Sequence, residues 1–122
     1  MSYSILERVK IRLRQFNIEN EGQETEHIVF THPEDNPFLE ELIEKARKDV
    51  IMARNYPDSY SNERIETDIT ENYSNVIIEI VLYDYNAEGI EGETNHSENG
   101  VNQTFIKRDY ILGKVTPFVK VL

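Results

Sequence analysis

VIIEIVLYDYNAEGIEGETNHSENGVNQTF, residues 76–105, holds an abrupt change of character. Val76 to Tyr83 is almost wholly apolar, whereas beyond Asn86 the chain is polar, acidic and punctuated by glycine. The β-branched start, VIIEIV, has the composition of a buried strand. Its phase argues for helix instead. Ile65, Ile69, Tyr73, Val76, Ile77, Ile80 and Tyr83 share one face at the 3.6-residue period, so a single helix is expected to begin between Asn62 and Asp68 and to continue through the apolar run. Asp68 followed by Glu71 has the spacing of a capping box. From Val76 onward Ile78 and Leu82 make the opposite face apolar as well. A helix apolar on both sides must be covered on both, so it is expected to be either the centre of the domain or a surface closed by a neighbouring subunit.

Ala87 to Gly100 contains Gly89, Gly92 and Gly100, the ionisable residues Glu88, Glu91, Glu93, His96 and Glu98, and only Ala87 and Ile90 as apolar residues. Such a segment has too little apolar surface to fold on its own. Its acids lack the D-x-[DN]-x-[DN]-G order of a calcium loop, so no metal is expected there. Asn99-Gly100 is a tight-turn dipeptide, after which Val101, Gln103 and Phe105 alternate with Asn102 and Thr104 as in a strand.

The 122 residues suffice for one core and one domain. With 23 acidic against 13 basic side chains the formal charge is -10, which argues against a protein that grips nucleic acid through its phosphates. The absence of cysteine excludes disulfides and thiolate metal sites. The apolar run VIIEIVLY is broken by Glu79 and too short to span a bilayer, and MSYSILERVKIRLRQF has no signal-peptide-like segment. The expectation is a soluble protein made in the cytoplasm, with no membrane partner.

Ser4 to Asn17 reads as a first helix, with Ile5, Leu6, Val9, Leu13 and Phe16 within about 100° of arc and Ile11 pointing away. Arg8, Lys10, Arg12 and Arg14 against Glu7 give this segment a net +3 and leave -13 for the rest of the chain. A solvated basic face is expected, the alternative being a grip on a phosphate or an acidic neighbour. His27 and His32, near Glu24, Glu26 and Asp35, match no metal geometry, and His27 to Thr31 is a possible short strand. A second helix is signalled by Asp35 or Asn36 as cap, Pro37 at the first helical position and Glu40 and Glu41 in the first turn. It should end near Asn55, ahead of Pro57. Asp49 falls inside its apolar arc and is expected to pair with Lys45 one turn earlier. Asp109 to Leu112 reads as one helical turn stopped by Gly113. In the final VTPFVKVL, Val115, Val119 and Val121 share a parity, so the tail either adds as a strand to a partner's sheet or folds back on its own domain.

The fold class expected is therefore mainly α: a small bundle of three or four helices, with a long extended arm and a strand-like C-terminal tail. Domain organisation follows as a single domain over residues 1–122, with a helical core at about 4–86, an arm at 87–105 and a tail at 106–122. No phosphate-binding glycine loop, nucleophile elbow or H-E-x-x-H pair occurs, so no enzyme, catalytic residue or cofactor is expected.

The junction itself carries a resemblance. IEIVLYDYN (Ile78 to Asn86), AEGIEGE (Ala87 to Glu93) and HSENGVNQTF (His96 to Phe105) resemble the head-tail connector proteins of tailed bacteriophages, also called adaptor or head-completion proteins, of the siphophage type. Gln103-Thr104-Phe105 departs from the pattern, which has a basic residue and a tyrosine there. The resemblance implies a virion protein of the neck, assembled in the host bacterial cytoplasm as a ring of about twelve copies beneath the portal after genome packaging. The ring would prolong the DNA channel used in genome ejection, let double-stranded DNA pass without specific binding, and dock the next head-tail joining or tail-terminator protein. On that basis Ile78, Leu82, Glu88, Glu91, Glu93, His96, Glu98 and Phe105 are expected at subunit or partner contacts. Val115, Phe118, Val119, Val121 and Leu122 are expected to form a portal-binding tail. The rival reading is a small acidic helical module of bacterial or prophage origin that binds another protein, as a regulator or DNA mimic. A mimic would space its acids like phosphates on one face, whereas these are spread over every segment.

Overall fold

The computed structural model describes residues 2–91 and 107–119. Helix α1, Ile5–Arg12, opens on a reciprocal cap: the Glu7 amide donates to Ser4 Oγ and the Ser4 amide donates to Glu7 Oε1. It closes earlier than the periodicity of Phe16 suggests. Arg14 sits at φ 60, and the amides of Arg14 and Gln15 donate to the carbonyls of Ile11 and Lys10. This is a Schellman closure with arginine where glycine is usual, at a backbone cost of about 1 kcal/mol. The chain then reverses into strand β1, Phe16–Glu19, which pairs antiparallel with β2, His27–Phe30, in the register Phe16↔Phe30. Phe16 fits a helical period by coincidence, because its ladder partner Phe30 is more than ten residues away and invisible to local phase.

A turn of 3-10 helix, Pro33–Asp35, leads into α2, Asn36–Arg54, with Pro37 in its first turn. Asp35 and Asn36 do not cap as expected, because their side chains are used elsewhere: Gln15 Nε2 and Tyr85 OH donate to Asp35 Oδ2, and Lys10 Nζ donates to Asn36 Oδ1. Asn55 closes α2 in the left-handed conformation at φ 54, which asparagine tolerates well.

The long helix expected from Ile65 to Tyr83 is two helices. α3, Asn62–Asn72, starts on Ser61, whose Oγ accepts from the Arg64 amide. It ends at Tyr73 (φ -126, ψ 10), and α4, Ser74–Glu91, follows at once. Asn72, Tyr73, Ser74 and Asn75 are all poor helix formers, so a break here is cheap, and it lets α3 turn out of the line of α4 while both keep their apolar residues inward. VIIEIV is helical, as its phase required. α4 also runs five residues beyond Asn86, so Ala87 to Glu91 belong to it by backbone.

Val76, Ile77, Ile78, Ile80 and Val81 of α4 are buried with Val9 of α1, Leu39, Leu42, Ile43, Ala46 and Val50 of α2 and Ile69 of α3. The second apolar side of α4 is closed within the chain. Residues 107–112 form a further helix, α5, and Ile111, Leu112 and the buried Val115 pack against the same core. Of the two ways to cover a helix apolar all round, the chain uses the first and makes it the central helix.

Candidate functional site

Helix α5 is fastened to α2 and α4 by charge. Arg108 on α5 donates from Nε to Asp84 Oδ1 at 2.9 Å and from Nη2 to Asp49 Oδ2 at 2.6 Å. Burial works against the charged guanidinium, but the hydrogen bonds to Asp84 and Asp49 outweigh it and hold its pKa above the ordinary arginine value. Asp49 therefore pairs with a residue distant in sequence and not with Lys45 as expected. A second ion pair, Lys114 Nζ to Glu79 Oε2 at 2.8 Å, lies on the surface beside it.

Beyond α5 the chain lies back across the ends of α2 and α3. The Phe118 amide donates to the Arg54 carbonyl at 2.8 Å, Arg54 Nη1 donates to the Thr116 carbonyl, and Asn55 Nδ2 donates to the Phe118 carbonyl. The Phe118 ring sits 5.6 Å from Tyr56 and 5.2 Å from Tyr60, with the Arg54 guanidinium 3.8 Å from its centroid. Beneath this cluster Asp68 accepts from Arg54 Nε, Tyr56 OH and Asn72 Nδ2. Burial raises the Asp68 pKa, but these three donors lower it by more, so it lies below the usual carboxylate value. Burial and the adjacent Asp68 both push the Tyr56 hydroxyl upward. Residues 115–118 thus fold back on their own domain, and Val119, at 86% exposure, points to solvent.

The residues expected at contacts divide sharply. Ile78 is 1% exposed and Val115 4%, so both are consumed by the chain's own core. Leu82 is partly buried and lines a shallow groove of about 340 Å³ with Tyr83, Tyr110 and Ile111, and Glu88 is exposed on α4. Glu91 is helical by backbone. Glu93, His96, Glu98, Phe105, Val121 and Leu122, with the turn at Asn99-Gly100 and the strand expected at 101–105, lie outside the described residues. Neither Arg108 nor Arg54 was singled out by pattern. The one available signal was Asp49, an acid inside an apolar arc, which needs a partner but does not say which.

The basic face of α1 is also divided. Lys10 is 2% exposed, donating to the His32 carbonyl and to Asn36, whereas Arg12 and Arg14 are exposed. His27 bonds Glu19 and the Thr25 carbonyl, and His32 bonds Thr31.

The sequence model of the phage gp6-like head-tail connector protein family matches residues 3–112. The chain belongs to that family. The match begins one residue ahead of the α1 cap and ends with α5, so the connector shares the whole helical body, including the stretch between α4 and α5. The strap after Gly113 lies beyond it. The connector is accordingly a structural component of a phage particle, from a family of structural proteins and not of enzymes. Among the described residues no helix is long and apolar enough to cross a membrane. No curated protein and no solved structure gives a significant match to the connector.

Proposed function

We propose that this connector is the repeating subunit of a ring that sits under the portal, joins it to the tail and prolongs the DNA channel. The observation that carries the reading is the family match across α1 to α5, which assigns the folded body to head-tail connectors. Two physical features support it. The formal charge of -10 suits a channel wall along which a duplex slides without sticking. The core is completed inside one chain, so a subunit can fold before it assembles, leaving Leu82, Glu88 and the acidic stretch through Glu91, Glu93, His96, Glu98 and Phe105 for contacts with neighbours. Ile78 and Val115 drop out of the contact set because they are buried. Phe118 anchors the strap, and Val119, Val121 and Leu122 would extend from it toward the portal or the next joining protein.

Coexpression with the portal protein of the same phage, followed by native mass spectrometry and electron microscopy, tests the reading. The expected result is a closed ring of connector copies on the portal. A connector that stays monomeric, alone and with portal, would sink it.

A further inference from the structure

Four of the chain's 13 basic residues lie on α1 and just beyond it, at positions 8, 10, 12 and 14. Of the four basic residues there, Lys10 is buried and bonded to His32 and Asn36, and Arg8 donates to Asn75 at 2.6 Å. Arg12 and Arg14 remain exposed and enter no ion pair among the described residues. Arg14 presents its guanidinium from a left-handed backbone position, φ 60, that glycine would occupy without strain.

α1 runs parallel to α4, since Arg8 meets Asn75 near the start of α4 while Gln15 and Tyr85 share Asp35 further along. The ten residues of α4 from Asn75 to Tyr85 rise about 15 Å, so Arg14, next to Gln15, lies toward the far end of that span, with Arg12 about 6 Å along α1 from Arg8. Beside the beginning of α4, along α3, is a depression of about 400 Å³ that runs from Tyr60 and Ser61 to Asn72 and includes Glu63, Arg64 and Glu71. Asp68 is already engaged by Arg54, Tyr56 and Asn72, and the Arg64 guanidinium is stacked 3.9 Å from the Tyr60 centroid. Glu63 and Glu71 have no ion-pair partner among the described residues. The molecule therefore has an exposed basic knob toward one end of its central helix and a concave acidic surface at the other.

We propose that Arg12 and Arg14 of one copy enter the Glu63 and Glu71 depression of the next, so that copies associate head to tail. The inference rests on the ring reading and supplies its contact surfaces. Two copies of net charge -10 repel each other over most of their surface, and this arrangement sets exposed arginines against carboxylates. An isologous contact through α1 would oppose arginine to arginine, whereas two different patches in contact give the heterologous geometry that a cyclic ring requires.

Two charge-reversal variants of the full chain test it, R12E/R14E and E63R/E71R, measured by sedimentation equilibrium with portal present if the wild type needs it. Each variant alone should weaken association at least tenfold while keeping the wild-type circular dichroism. An equimolar mixture of the two should recover association, because every contact in an alternating assembly again joins opposite charges. R14G separates side chain from backbone: it should melt no lower than wild type and still associate several-fold more weakly. A wild-type ring indifferent to both reversals, or folded variants whose mixture fails to recover, would overturn this contact and leave the ring standing. A wild type that never associates overturns both.

Discussion

Replacing Arg108 by methionine should remove the fastening of α5 while keeping most of the side chain's bulk. The magnitude follows from what the change strands. The Asp84 side chain is 8% exposed, and without Arg108 its charge would be buried unpaired, a situation that costs about 3–5 kcal/mol when one member of a buried pair is deleted. Asp49 is 28% exposed and can take water in place of the guanidinium, adding about 1 kcal/mol or less. Against a total stability of about 5–15 kcal/mol for a single domain, this is a large fraction. With a urea slope of about 2 kcal/mol per molar, the midpoint should fall by about 2 M with the slope unchanged. R108M/D84N should recover more than half of the loss, since the stranded charge is then gone. Amide exchange should report the first opening in residues 107–119, which hold to the body through this residue and the strap contacts. A midpoint shift below about 0.3 M for R108M, or a double variant as unstable as the single one, would refute the argument that Arg108 and its two carboxylates secure α5.

The acid limb of stability should carry the signature of Asp68. Its folded pKa is depressed, so its contribution is fully present above the unfolded carboxylate value of about 3.9 and is lost as pH falls through the lower folded value. Wild type should exceed D68N by about 2 kcal/mol between pH 5 and 8, and the gap should begin to close only below about pH 4, as the pH falls toward the depressed folded value, in urea titrations at each pH. F118A should cost about 2 kcal/mol, less than a fully buried phenylalanine because the ring is only partly covered, with loss of protection at residues 115–119 and helical circular dichroism retained.

Local physics made much of the fold legible. Pro37 and the apolar arc of α2 marked a helix that the structure runs from Asn36 to Arg54, and HIVFT marked β2. The failures share one cause. Phe16 sits at a helical phase from Val9 and Leu13 but belongs to a ladder with Phe30. Tyr73 continues the stripe from Ile65 but ends a helix, because a stripe can be kept across a break when both helices face the same core. The exposed basic face read from α1 was half right: Lys10 turns inward because the His32 carbonyl and Asn36, more than twenty residues away, give its ammonium acceptors. The site fared similarly. Composition put the change of character after Asn86, whereas α4 runs on to Glu91, and Arg108 and Arg54, which fasten α5 and residues 115–118, stand in sequence as ordinary surface cations.

What the sequence determined by itself is the class of the molecule and its family: an acidic, mainly helical chain with a helix apolar all round that runs into a polar, acidic, glycine-punctuated segment, the pattern by which it resembles head-tail connectors. Those properties are written in composition and in periods of a few residues. Tertiary structure alone decided what covers that helix, which partner Asp49 takes, and where residues 115–118 lie. Each depends on groups that meet across tens of residues, and the cost of leaving an apolar face or a buried charge uncovered says only that a partner must exist. For α4 the added cover is α5 and Val115 of the same chain, so of the two covers expected for it, its own domain or a neighbouring subunit, the chain supplies the first.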